Sequence, residues 1–197
     1  MTETTARSHA PREVRRAQIL DAAMRCFAEG GYHATSMDDL VAASGLSKGS
    51  LYWHFESKED VFLALFDAFL EDYFAGWSAL DDGQRPLLEV IGGGGELLIR
   101  SFAEDRSQMN AWVEFLAHPA ARERFAAAYE QSRDIVEGLL ERAIARGEIR
   151  AVSAPEVAAA FIAAGEGILL QAYVDPAFPS CDCWPHVMDV WKRGLLP

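Results

Sequence analysis

Cysteine is scarce in this sequence, and long uncharged apolar runs are absent. Its 197 residues include three cysteines, Cys26, Cys181 and Cys183. An odd number of cysteines, without an apolar N-terminal signal segment, argues against a disulfide scaffold and for a reducing compartment. No uncharged apolar run approaches the roughly 20 residues that a transmembrane helix needs. We therefore expect a cytoplasmic protein with no membrane span, long enough to bury a core without disulfides or metal ions.

Positive charge is also in short supply, but its distribution is uneven. The net charge is −12. Residues 1–60 hold 7 Lys or Arg against 9 Asp or Glu, whereas residues 61–197 hold 11 against 21. An acidic protein repels the phosphate backbone of nucleic acids as a whole. The nearly balanced N-terminal segment is nevertheless compatible with a small DNA-reading module on an acidic body.

Strand patterns and the common catalytic motifs are missing as well. Apolar residues recur at helical spacing, and no phosphate-binding loop or dinucleotide fingerprint occurs. Glu114 and His118 lie four residues apart but lack the second histidine of a zinc-protease motif. Cys181, Cys183 and His186 form only a weak candidate metal set on a Pro-flanked loop. We predict an all-α protein that is not an enzyme and has no cofactor and no metal site.

Signals for two short helices lie just before and within the segment GLSKGSLYWHFESKED, residues 45–60. Ser36 opens the first helix, with Asp39 at the spacing of a capping box. Gly45 suits the left-handed conformation of a tight turn, and Ser47 can cap the second helix. Two short helices joined by such a turn form a helix-turn-helix.

The second of these helices has one apolar side and one polar, aromatic side. Leu51 and Phe55 lie at i, i+4 and are expected to face the core. Lys48, Tyr52 and Trp53 then lie on the opposite side, where side chains of this kind meet phosphates and base edges. This pattern favours a helix that enters a major groove of DNA by its N-terminal part.

The segment ATSMDDLVAASGLSKGSLYWHFESKEDVF, residues 34–62, resembles the N-terminal DNA-binding region of the TetR/AcrR family of bacterial transcription regulators. The resemblance covers 15–66 and implies a three-helix DNA-binding domain over 1–58. It further implies a helical-bundle domain for effector binding and dimerisation over 59–197. It implies DNA contacts by Ser36, Ser47, Lys48, Gly49, Ser50, Tyr52, Trp53, His54 and Lys58, with additional arm contacts from Arg12, Arg15 and Arg16.

The middle of the chain is rich in aromatic residues, most of which must be ordinary core. The resemblance implies a small-molecule pocket among them. An acidic anchor such as Glu166 would suit a cationic or hydroxylated ligand, and Arg133 would suit a carboxylate. Gly92–Gly95 indicate a helix interruption, a close helix crossing or a flexible pocket wall. The predicted effector-binding residues are Phe69, Tyr73, Phe102, Met109, Trp112, Phe115, Tyr129, Arg133 and Glu166.

The resemblance also implies a homodimer that pairs its last two helices in a four-helix bundle. The predicted dimerisation residues are Ala164, Ile168, Trp184, Met188 and Trp191. Such a dimer is expected to bind a near-palindromic operator in double-stranded DNA as a repressor that a small-molecule effector releases. Four alternatives remain open at this point: an activator, a regulator without a ligand, a protein-binding scaffold, and a helical-bundle enzyme that uses Glu114 and His118.

Overall fold

The computed structural model of the protein describes residues 12–197 and contains no strand within them. The all-α prediction is therefore confirmed. The polar N-terminal segment 1–16 is predicted from sequence to be a frayed arm; its residues 1–11 lie outside the described residues, whereas 12–16 belong to a helix. A single 3₁₀ turn at Pro119–Ala121 precedes α7. The α-helices are α1 (Arg12–Ala34), α2 (Met37–Ser44), α3 (Lys48–His54), α4 (Lys58–Leu80), α5 (Leu87–Glu104), α6 (Arg106–Ala117), α7 (Arg122–Ala145), α8 (Ala154–Val174) and α9 (Ser180–Leu195).

The chain divides into two compact units, the first ending at Leu65 and the second comprising Phe66–Pro197. The long helix α4 contributes its N-terminal turns to the first unit and the remainder to the second. The functional boundary between 58 and 59 that the sequence predicts stays a prediction.

The first unit is built on the apolar side of α1. Ile19 and Phe27 on this helix are buried, as are Leu40 on α2 and Leu51 on α3. The ring of Phe27 meets that of Phe62 on α4 edge to face at a centroid distance of 5.5 Å. Aromatic pairs of this geometry add to the stabilisation that burial gives. Helices α1, α2 and α3 thus pack on one small aromatic and aliphatic core.

The glycines of α5 lie inside a continuous helix, so the interpretation as a helix interruption is wrong. They permit a close crossing instead. The indole of Trp77 lies against Gly94, and that of Trp184 lies against Gly95. A Cβ atom at Gly95 would lie 1.9 Å from Cζ2 of Trp184, far inside van der Waals contact. Only a residue without a side chain fits beneath this indole.

Helices α8 and α9 differ from the sequence-based picture in two ways. Helix α8 is long and apolar enough to cross a membrane by length and mean hydropathy alone, although a soluble protein's core helix passes the same test. Helix α9 begins at Ser180, so Cys181 and Cys183 lie in its first turn and not on a loop. Within 12–197, no group of three or more His, Cys, Asp and Glu side chains is placed to hold a metal ion.

Candidate DNA-binding surface and ligand cavity

Local hydrogen bonds fix the starts of α2 and α3, and a glycine forms the turn between them. The Ser36 hydroxyl accepts a bond from the Asp39 N–H, while the Asp39 carboxylate accepts one from the Ser36 N–H at 2.8 Å. Gly45 has φ 67° and ends α2 in the left-handed conformation. The Ser47 hydroxyl then accepts from the Ser50 N–H and caps α3. The predicted helix-turn-helix is therefore present, with the predicted caps.

Helix α3 separates its buried and exposed side chains as its sequence predicts. Leu51 and Phe55 are buried, whereas Tyr52 is 43% exposed and Trp53 is 67% exposed. Exposing a whole indole to water is unfavourable and is uncommon without a partner for it. A flat aromatic surface on a short exposed helix is suited to contact with a macromolecule.

Basic side chains gather around these two rings. The Arg12 guanidinium lies over the Trp53 ring at 5.3 Å, and the Lys48 ammonium lies 5.9 Å from the Tyr52 ring. Arg15 Nη1 lies 3.5 Å from the Ser50 hydroxyl. Arg12 and Arg15 start α1, so two helices supply positive charge to one surface. We call the surface formed by Arg12, Arg15, Lys48, Ser50, Tyr52 and Trp53 the reading face.

His54 and Lys48 have neighbours that set their charge. Burial, followed by the positive charges of Arg12 and Arg15, lowers the pKa of His54, so its imidazole is neutral near neutral pH. Lys48 pairs with Asp38 at 2.7 Å, and this hydrogen bond raises the pKa of the lysine. Both partners are largely exposed, so the pair contributes little stability and can exchange for a phosphate contact.

Lys58, by contrast, is engaged inside the first unit. Its ammonium donates to the carbonyl oxygens of Tyr32 at 2.6 Å and Thr35 at 2.7 Å. It also lies 4.2 Å from the Tyr32 ring. The sequence predicts a DNA-backbone contact for this lysine, whereas in this structure it ties the start of α4 to the last turn of α1 and to Thr35, which follows α1.

A cavity of about 90 Å³ lies within the second unit, among α4 to α9. Most of its wall is apolar, and half of its lining residues are aromatic. The ring of Phe66 lies tilted against that of Phe125 at a centroid distance of 4.5 Å, and Phe69 meets Phe102 at 5.9 Å. The lining residues are Phe66, Phe69, Leu70, Tyr73, Trp77, Gly95, Leu98, Ile99, Phe102, Trp112, Phe125, Ala128, Tyr129, Ser132, Phe161, Ile162, Gly165, Glu166, Leu169 and Trp184.

The polar groups of the cavity lie on α4, α7 and α8. The Tyr129 hydroxyl donates a hydrogen bond to the Glu166 carboxylate. Burial raises the pKa of Glu166, and burial together with this carboxylate raises the pKa of Tyr129. Burial also raises the pKa of the Tyr73 phenol. These directions follow from removing charged forms from water.

Two sequence profiles match this chain. The profile of bacterial regulatory proteins of the tetR family matches residues 19–65, and that of the C-terminal region of BetI-type transcriptional repressors matches residues 96–189. The transcriptional repressor KstR2 of Rhodococcus jostii is 31% identical over 170 residues, which cover 82% of this chain and 81% of that protein. The chain belongs to the TetR family.

Other known proteins resemble parts or all of this one. The transcriptional activator FasR of Mycolicibacterium smegmatis is 41% identical over 66 residues, which cover 34% of this chain and 30% of that protein. The complex of SmeT from Stenotrophomonas maltophilia with triclosan superimposes with a TM-score of 0.81 at 23% identity, covering 93% of this chain and 92% of that chain. This likeness shows the same fold.

Membership of the TetR family makes this protein a DNA-binding transcriptional regulator and sets aside the interpretation as an enzyme. His118, which that interpretation pairs with Glu114 as acid and base, also has another role. His118 Nδ1 accepts a hydrogen bond from the Ala120 N–H at 3.3 Å and so caps the 3₁₀ turn. This imidazole nitrogen therefore serves the backbone.

The structure brings together six of the nine predicted effector-binding residues. Phe69, Tyr73, Phe102, Trp112, Tyr129 and Glu166 line the cavity. Met109 and Phe115 are buried but face other core side chains, and Arg133 lies outside the wall. Sequence reasoning missed Phe125 and Ser132, although their spacing from Tyr129 on α7 places all three on one helix face. Their helical phase with Tyr129 makes them candidates, although phase alone does not show that they border a cavity.

The predicted dimerisation residues fall into two groups. Ile168 and Trp184 are buried within their own chain, which leaves their side chains little surface for a partner. Trp184 is inserted between α5 and α8, where its ring meets Phe161 at 5.3 Å. Ala164, Met188 and Trp191 are half-buried and stay predictions. The largest apolar exposure on these two helices is instead at Val174, 80%, and Val190, 69%.

Proposed function

We propose that this protein is a homodimeric repressor that leaves a near-palindromic operator when a small molecule occupies its cavity. Residues 1–58 serve as the DNA-binding domain and 59–197 as the effector-binding and dimerisation domain. The protein acts in the cytoplasm, where the chromosome is accessible. The observation that carries the proposal is the reading face, with an exposed Trp53 and Tyr52 among basic side chains from two helices.

DNA recognition follows from the chemistry of the reading face. Lys48, Arg12 and Arg15 neutralise phosphates and set the protein's register on the duplex. Ser50 and the aromatic rings lie where base edges and thymine methyl groups would be read. Ser36, Ser47, Gly49 and His54 flank this face and supply further backbone contacts. In a dimer, two such faces about 34–36 Å apart read half-sites separated by one duplex turn.

Dimerisation is supported by the outward sides of α8 and α9. The side of α8 opposite its core carries Ala163, Gly167, Leu170 and Val174, all of them half-buried or exposed. Only 22% of its most apolar window is buried within the chain. Small residues let a second helix approach closely, and an apolar surface of this kind favours a second copy over water.

The direction of regulation is supported by the relative that covers most of the chain, which is a repressor. The FasR match is confined to about a third of this chain and shows that similar N-terminal regions also occur in an activator. A ligand releases the operator if it binds more tightly to a dimer whose two reading faces are not spaced to match the half-sites than to the DNA-binding form. By thermodynamic reciprocity, operator DNA then weakens binding of that ligand by the same factor.

Selection from randomised duplex DNA tests this proposal. We expect a near-palindromic consensus with two half-sites whose spacing matches one turn of duplex or a related repeat. Enrichment of half-sites alone would contradict the dimer. No enrichment by a properly folded dimer would contradict operator binding and would favour a protein-binding scaffold.

A further inference from the structure

The cavity of the second unit has an unbalanced electrostatic character. Among the described residues that line it, Glu166 is the only Asp or Glu, and none is Lys, Arg or His. Within 12–197, Glu166 forms no ion pair with a basic side chain. The Tyr129 hydroxyl, which carries no charge, donates a hydrogen bond to it. Within 12–197, no counter-charge therefore balances the ionised carboxylate.

Burial makes this lack costly. An ionised carboxylate taken out of water needs an opposite charge or several hydrogen bonds to offset the loss of hydration. The loss of hydration also raises the pKa of Glu166, because it disfavours the ionised form. An anionic ligand would add to the penalty, because no basic side chain faces it. A cation would remove the penalty and favour the ionised form.

The aromatic wall suits a cation as well. Tyr73, Trp112 and Tyr129 line the same cavity as Glu166. Aromatic faces attract organic cations through the negative charge of the ring centre, and more strongly where water is excluded. A neutral apolar molecule would use only the hydrophobic part of this wall and would leave Glu166 unpaired.

We infer that the effector is a small organic cation with an apolar body, held with its charge between Glu166 and the surrounding aromatic rings. The empty space of about 90 Å³ accepts a compact ammonium group. It is smaller than the roughly 150 Å³ cavity known to bind benzene, so an aromatic body requires lining side chains to rotate. The inference rests on the proposed function for its regulatory consequence, but binding itself is tested separately.

Calorimetric titration of the full-length protein with three matched probes tests the ligand class. The probes are benzyltrimethylammonium, its neutral carbon isostere neopentylbenzene, and the anion phenylacetate. We expect the cation to bind about tenfold or more tightly than the isostere, the range expected for a desolvated cation–aromatic contact with a charge partner. Phenylacetate should bind most weakly. Equal affinities for the cation and the isostere, or tightest binding of phenylacetate, would overturn the inference.

Two glutamate variants localise the effect. Glu166→Gln keeps the shape of the side chain and removes its charge, so it should lose the preference for the cation and retain binding of the isostere. Glu114→Gln makes the same chemical change outside the cavity wall and should behave as wild type. An unchanged preference in folded Glu166→Gln would contradict the assigned role. The probe comparison on the wild type remains decisive even if this variant does not fold.

Operator release is measured separately, by anisotropy of labelled DNA. If the cation binds in the cavity but leaves the operator complex intact, the release mechanism fails and the ligand class stands. If the operator is released only by neutral or anionic molecules, the ligand class fails and the repressor stands. The two proposals therefore fail in distinguishable ways.

Discussion

The indole Nε1 of Trp184 donates a hydrogen bond to the carbonyl oxygen of Gly92, 2.9 Å away. This bond joins α9 to α5 while the six-membered ring lies over Gly95. An indole can enter a helix crossing in this way only where the facing helix has no side chain. The glycine run of α5 and the C-terminal tryptophan are therefore one structural feature.

Alanine at two of these glycines should have opposite effects. In Gly95→Ala the new Cβ overlaps the Trp184 ring, which we expect to cost about 1–3 kcal/mol, as overpacking of a core does. In Gly93→Ala the nearest atom is Leu80 Cδ2 at 3.8 Å, an ordinary contact. That change should stabilise the helix by up to about 1 kcal/mol. Urea unfolding of both variants measures the difference, and equal midpoints would contradict the packing.

Lys58 is expected to matter for folding of the first unit, whatever its role on DNA. Lys58→Ala removes the donor from the Tyr32 and Thr35 carbonyls, which should cost about 1–3 kcal/mol. The exposed Lys192 offers a control, since its replacement by alanine should leave unfolding unchanged. If Lys58→Ala unfolds as wild type and loses only operator affinity, the lysine is a DNA contact and the structural role is wrong.

The helix caps and the turn of the helix-turn-helix could be predicted from sequence because their signals are local. Ser36, Asp39, Gly45 and Ser47 act on residues within three or four positions along the chain, so their effect does not depend on the rest of the fold. The same locality explains why the buried and exposed sides of α3 were predicted correctly.

The cavity and the dimer surface depend on contacts that no local pattern specifies. The spacing of Met109 and Phe115 along α6 is typical of core residues. Such spacing does not show which core residues line the cavity. A large apolar side chain such as Trp184 fits the chain's own core or a partner's surface equally well. The deciding contact is with Gly95, on a helix distant in sequence.

A charge at the outward side of α9 should dissociate the dimer without unfolding the chain. Val190 is 69% exposed in the single chain, so Val190→Glu adds no strain there but buries an unpaired charge in the pair. Sedimentation velocity should show a monomer with the helical content of wild type. Val14→Glu places the same change on α1, where the valine is also exposed, and should remain dimeric. A dimeric Val190→Glu would move the interface elsewhere.

The buried carboxylate of the cavity should make stability depend on pH. The pKa of Glu166 is raised by folding, so its contribution to stability is fully present below the pKa of the unfolded state. That contribution is lost as the pH rises through the higher folded-state pKa. Glu166→Gln, neutral at every pH, should therefore gain Tm relative to wild type on going from acidic to neutral pH. A constant or shrinking difference in Tm would show that the folded carboxyl titrates normally.

The most direct test of the regulator is the affinity of Lys48→Ala and Tyr52→Ala for the selected operator. Fluorescence anisotropy across a salt series should show losses of about 1–3 kcal/mol, with the salt slope of Lys48→Ala shallower by about 1. Arg85→Ala removes a positive charge from the exposed turn before α5 and should bind as wild type. These results would establish the reading face. Wild-type affinity in both variants, with fold and dimer intact, would contradict it.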